Sequence, residues 1–203
     1  MTEADFARWA AQWRTPPAAI VPVPALTVDG SGGTLRGARV LIGLPGHGWR
    51  GEMRADALVK QGARTFVPVL PEADWYRAER DRVEVVAALV PVERVWIETL
   101  STADAANDLT PSPADAPQLV SLDSPPTRAA LPLDGAAQVM GRRLVHTGRE
   151  GETRALRAAS EAHKGPDSLP QILVVTESDW YAWAATGKLP AARALPVAEL
   201  WLE

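Results

Sequence analysis

The chain has 203 residues, 46% hydrophobic and 23% charged, with 18 prolines, 15 glycines and no cysteine. That is the composition of one globular domain or two small ones. It excludes disulfide frameworks, thiol chemistry and zinc sites built on thiolates. No run approaches the ~18 apolar residues of a membrane span. The opening MTEADFARWAAQW is not a basic start followed by an apolar core, so no secretory signal is expected, and the expected setting is the cytoplasm with no membrane partner.

Net charge is −4, and its distribution matters more than the sum. Residues 35–100 hold ten Lys/Arg against nine Asp/Glu, and residues 139–203 hold eight against eight. The remaining segments carry the acidic excess. The totals contain no strongly basic face of the kind that drives non-specific nucleic-acid binding.

In chain order, residues 2–13 read as a short helix with Phe6, Trp9, Ala10 and Trp13 on one side. Residues 15–34 combine prolines with a Gly/Ser turn and read as a tether, so 1–34 forms an arm. The rest repeats itself. Residues 72–76 read E-A-D-W-Y and 177–181 read E-S-D-W-Y; V-P-V-E-R-V-W-I-E at 90–98 returns as L-P-V-A-E-L-W-L-E at 195–203. Both matches share the offset 105. Upstream, the segment from Leu35 resembles that from Met140, and G-E-M-R-A at Gly51 matches G-E-T-R-A at Gly151. The domains are therefore a first repeat at 35–100, a Pro/Asp-rich linker at 101–138 with a possible strand near 118–122, and a second repeat at 139–203.

Within each repeat the pattern predicts a β-α-β-α-β-(α) unit, an α/β fold with a mostly parallel sheet flanked by helices. Strands are expected at 39–42 and 143–147. A first helix follows, with the stripe Ala55, Leu58, Val59, Gly62 or Ala155, Ala158, Ala159, Ala162. Strands come next at 65–70 and 171–176, and a second helix opens with Asp74 or Asp179 as its N-cap. The closing segment is ambiguous, with a short strand around 89–92 leading into a helix favoured.

Chemistry-bearing patterns are sparse. His47, His146 and His163 have no partner at metal-ligand spacing, so no metal is expected, and no nucleophile elbow occurs. Glu72/Asp74 and Glu177/Asp179 are read as capping, solvent-facing acids; no catalytic residue and no cofactor is assigned. The glycines Gly46, Gly48 and Gly51 make a literal G-x-G-x-x-G after a strand, the pattern of a dinucleotide loop. A more general expectation is an anion site at the start of each first helix. Gly46, Gly48, Arg50 and Arg54 would form the first, and Thr147, Gly148, Arg149 and Arg154 the second.

The layout resembles tandem BRCT domains. The resemblance rests on Thr147-Gly148 at a strand end, Gly62-Ala63 closing the first helix, apolar strands at 66–69 and 172–175, and Trp96 and Trp201 in a final helix. It implies a non-catalytic protein–protein interaction module that binds a phosphorylated protein or a DNA end, in a DNA-repair setting. V-L-I-G-L-P, G-A-R-T-F-V-P-V-L-P and V-W-I-E-T-L-S-T-A-D-A-A are also similar to the two-lobed uroporphyrinogen-III synthase pattern. That alternative implies a cofactor-free cleft enzyme acting on a small acidic ligand. A nucleotide-binding α/β enzyme using the loop from Gly46 to Gly51 is the other alternative.

Overall fold

A computed structural model describes residues 15–27, 35–101, 122, 124–133 and 138–203. The expected helix at 2–13 lies outside them, as does most of the 101–138 segment, including all but Leu122 of the strand expected near 118–122. The chain separates into two compact bodies, Ala19–Arg128 and Ala129–Glu203, the second including the segment up to Ala18.

In the first body seven strands form one antiparallel sheet. They are β1 (Ile20–Pro24), β2 (Arg39–Leu44), β3 (Gly48–Ala55), β4 (Val59–Gln61), β5 (Arg64–Pro71), β6 (Ala88–Pro91) and β7 (Val95–Leu100). The order is β1-β7-β2-β3-β5-β4, with β6 also pairing β5. One helix, α1 (Glu72–Asp81), joins β5 to β6. Period-2 alternation builds the core. Val40 and Ile42 of β2, Met53 and Ala55 of β3, Val67 and Val69 of β5, and Val95 and Ile97 of β7 form a single cluster.

The second body repeats this plan. Its strands are β8 (Leu131–Pro132), β9 (Arg143–Gly148), β10 (Gly151–Ala158), β11 (His163–Lys164), β12 (Pro170–Thr176), β13 (Arg193–Pro196) and β14 (Leu200–Leu202). The order β8-β14-β9-β10-β12-β11, with β13 pairing β12, matches the first sheet strand for strand. Helix α2 (Glu177–Thr186) again links the two strands that α1 links in the first copy. Leu144, Leu156, Ala158, Ile172, Val174 and Leu200 fill the corresponding core.

The α/β expectation is thereby corrected. Both sheets are antiparallel, and the parallel, helix-flanked sheet that the BRCT-like resemblance implies is absent from the described residues. The reason is local. Residues 55–62 and 155–162 are not helices; Met53/Ala55 and Leu156/Ala158 face inward at strand period, while Arg54 and Arg157 point the other way. Glu52 and Ala155 adopt positive φ, 56° and 58°, at a β-bulge that interrupts the alternation. That bulge also fixes the repeat register. Arg54-Ala55 corresponds to Arg157-Ala158, three residues beyond the G-E-T-R-A match. With no crossover helix available, β2 and β3 must join as a hairpin, and so must β9 and β10.

Two smaller expectations change as well. The stretch read as a tether contains β1, paired with β7 from Ile20↔Leu100 to Pro24↔Trp96. Trp96 and Trp201 lie on strands β7 and β14, not in a final helix.

Each repeat enters β2 or β9 through a turn at Gly37 or Gly141, with φ near +79° in both. A Cβ at Gly141 would also come within 3.1 Å of the Trp180 ring. Gly46 has φ +75° but open space around it. Gly141→Ala is therefore expected to cost roughly 1–3 kcal/mol and Gly46→Ala only about 1 kcal/mol. Urea unfolding of the two variants checks the order.

Candidate functional site

The E-x-D-W-Y motif belongs to a buried charge network. Helix α1 starts at Glu72, not at Asp74, with Pro71 as its N-cap. Helix α2 starts at Glu177, and Thr176 caps it by accepting from the Asp179 backbone N–H at 3.1 Å. Glu72 and Glu177 are each only 1% exposed, so they are not solvent-facing acids. Arg54 Nε lies 3.1 Å from Glu72 Oε1. In the second repeat Arg143 Nε donates to Glu177 Oε1 at 2.8 Å.

The same geometry recurs around these ion pairs. Arg54 donates to the Gly37 carbonyl at 2.9 Å and to the Tyr76 hydroxyl at 3.0 Å. Arg157 donates to the Gly141 carbonyl and the Tyr181 hydroxyl, both at 2.8 Å. Each guanidinium also lies over its tyrosine ring, at 5.4 and 5.3 Å. Arg39 adds a contact to Glu98 at 3.3 Å, and Arg128 pairs with the same carboxylate. Sequence reasoning missed Arg39, Arg143, Arg157 and the two turn glycines. Their signal was present as recurrence, Gly37/Gly141 and Arg39/Arg143 at offset 104 and Arg54/Arg157 at offset 103.

The expected anion-site residues are not brought to helix starts. Gly46 sits in the turn between β2 and β3, and Gly48 and Arg50 open β3, with Arg50 exposed. Arg54 is committed to the buried network. Thr147 and Gly148 end β9, and Thr147 Oγ1 accepts from Trp201 Nε1 at 2.9 Å. Arg149 is exposed in the turn before β10. Arg154 donates to Glu203 at 2.9 Å and pairs with Glu152 and the Ala18 carbonyl. Because a hairpin follows Gly46 and Gly48, no helix N-terminus is available there for a pyrophosphate. Among the described residues no cluster of three or more His, Asp or Glu side chains is placed to hold a metal ion. No described helix is long and apolar enough to cross a membrane.

The repeats differ outside the network. Against α1 lies an open groove of about 610 Å³, with Leu70 and Trp75 among its lining residues. Five charged side chains line it: Arg36, Asp56, Glu79, Arg82 and Glu84. Arg36 lies 3.6 Å from Asp56 and 3.9 Å from Glu79. The register places Met140, Ala159, Ala184, Gly187 and Leu189 at these positions in the second repeat. All five charges are gone. Trp183 replaces Ala78, and its ring meets Trp180 edge to face at 5.4 Å. Met140 is 52% and Leu189 69% exposed.

No family model, curated protein or solved structure matches the chain.

The network generates a stability prediction. Glu177→Ala leaves Arg143 and Arg157 buried without their carboxylate, and a loss of about 3–5 kcal/mol is expected. The effect of Trp201→Ala is expected to be comparable, ~3–5 kcal/mol, because that ring is only 3% exposed. Trp96 is half-buried and packs edge-on to Trp49 at 6.2 Å, so Trp96→Ala should cost less. Chemical denaturation of the three variants measures the order.

Proposed function

We propose that the protein is a non-catalytic interaction module whose recognition surface is the aromatic patch of the second repeat, formed by Met140, Trp180, Trp183 and Leu189. One observation carries the reading. The two copies share their buried network and sheet order, while the five charged positions lining the groove of the first become Met140, Ala159, Ala184, Gly187 and Leu189 in the second, with Lys188 in place of Val83 the one charge gained among the lining positions. An ionic groove is well solvated as it stands. An exposed apolar patch is relieved of its hydration cost when a partner covers it, by roughly 25 cal/mol per Å² buried.

The chemistry of the patch selects the partner. Two tryptophans, a methionine and a leucine around one helix suit an amphipathic segment presenting aromatic and aliphatic side chains along one face. Trp and Met are also the residue types that concentrate at interface centres. An anionic partner draws less support, since Arg54 and Arg154 are engaged internally and only Arg50 and Arg149 remain exposed on hairpins.

The test grafts the first repeat's residues onto the second, as Met140→Arg, Trp183→Ala and Leu189→Glu together. The probe is a fluorescein-labelled amphipathic helical peptide carrying Trp and Leu at i, i+3 and i+4 spacing. The wild-type chain is expected to bind it in the micromolar range, and the graft at least about tenfold more weakly, a difference of ~1.4 kcal/mol. The graft should keep its circular dichroism spectrum and a cooperative melting transition, lowered because Trp183→Ala removes the edge-to-face contact with Trp180, a loss of roughly 0.5–1.5 kcal/mol. Equal binding by the two proteins overturns the proposal.

A further inference from the structure

The chain supplies its own candidate for this patch. We infer that residues 1–14 of the same chain occupy the aromatic patch in cis, so that the resting protein is self-occluded. This rests on reading the patch as a recognition surface, and it identifies the first occupant.

The tether is in the right body. Ala18 is held on the second repeat, its N–H donating to Glu152 at 3.0 Å and its carbonyl accepting from Arg154. The segment that precedes it therefore leaves from the body that carries Met140, Trp180, Trp183 and Leu189. Four residues, 14–17, would reach about 13 Å if extended, and the helix that the sequence predicts over 2–13 would add about 18 Å. A body of this size has a radius of gyration near 11 Å, so the segment can span it.

The chemistry of the segment matches the patch. Phe6, Trp9, Ala10 and Trp13 fall at i, i+3, i+4 and i+7, one apolar stripe along a helix. That stripe is what an aromatic surface of this kind takes up in a helix-in-groove mode. The first repeat's equivalent groove would set five charged side chains against it, which disfavours docking there. The segment begins with Glu3 and Asp5, and Lys188 beside Leu189 is an exposed cation at the edge of the patch. Covalent attachment does the rest. A short tether gives an effective concentration in the millimolar range, so even a contact of about 100 µM affinity is some nine-tenths occupied.

The test uses the full chain and the labelled amphipathic peptide as probe. Phe6→Ser/Trp9→Ser/Trp13→Ser removes the stripe and changes no residue of the described strands. It is expected to bind the probe about tenfold more tightly than wild type, because the patch is then fully available. Adding Met140→Arg/Trp183→Ala/Leu189→Glu should abolish that gain. A second readout exploits the absence of cysteine from the chain. Ala10→Cys with Ala184→Cys should form an intramolecular disulfide on mild oxidation, and Ala10→Cys with Lys164→Cys should not. If the triple serine variant binds the probe no better than wild type, the patch is open at rest and self-occlusion is overturned, while the recognition reading stands. If neither wild type nor the serine variant binds the probe, the recognition reading itself is overturned.

Discussion

Each repeat depends on one buried constraint: a glutamate at the first turn of the helix, held by arginines from the two central strands. A ten-residue helix is too short to persist by itself in water, and α1 and α2 are the only α-helices of their bodies among the described residues. The network joins each of them to the sheet at several points. Glu177 takes Arg143, Tyr181 takes Arg157, and the same Arg157 reaches the Gly141 carbonyl. Burying such charges brings little net stability, since desolvation offsets most of the Coulomb gain. What it supplies is geometry. The guanidinium fork fits only one placement of carboxylate, hydroxyl and carbonyl, so the helix cannot slide or rotate on the sheet.

How far the sequence reveals this architecture depends on the residue type. The repeat is legible because tryptophan and tyrosine are scarce, and three pairs recur at one spacing across 72–98 and 177–203. The helices at 72–81 and 177–186 are legible from the same motif. Strand direction is not. The β-bulge at Glu52 and Ala155 shifts the alternation by one residue, which leaves small residues at helix-like spacing beyond it. That spacing reads as a crossover helix, and a parallel sheet follows from it. The two-residue turn Arg149-Glu150, between Gly148 and Gly151, is the local signal for the hairpin that is actually formed.

The network and the surface patch were hidden for a related reason. The repeat register is 105 at the helix but 104 at the turn before it, so Met140 pairs with Arg36, where a uniform offset sets it against Leu35. That single-residue slip conceals the replacement of an ion-paired arginine by an exposed methionine. It also separates Gly37 from Gly141, whose shared positive φ marks the entry to the sheet. The acids Glu72 and Glu177 carry no sign of burial in a one-dimensional pattern. Their environment is set by arginines 18 to 34 residues away, on strands whose pairing the pattern does not reveal.

Helix α2 sets its buried polar contacts beside the Trp180–Trp183 pair. Glu177 and Tyr181, four residues apart, face the arginines, while Trp180 and Trp183, three apart, pack on each other along an adjoining stripe. The stripe that carries Trp75, Ala78 and Glu79 in α1 carries Trp180, Trp183 and Ala184 in α2, while the inner contacts are kept. Trp180 adjoins both. Its ring packs within 3.1 Å of the Cβ position that Gly141 leaves empty, and it also meets Trp183 edge to face. The Gly141 carbonyl beneath it is the one that receives Arg157. On the proposed reading, a ligand seated on the patch meets the ring that packs against Gly141, and by binding the native repeat it also stabilises it by mass action. On the proposed recognition reading, binding and stability in the second repeat meet at that one indole.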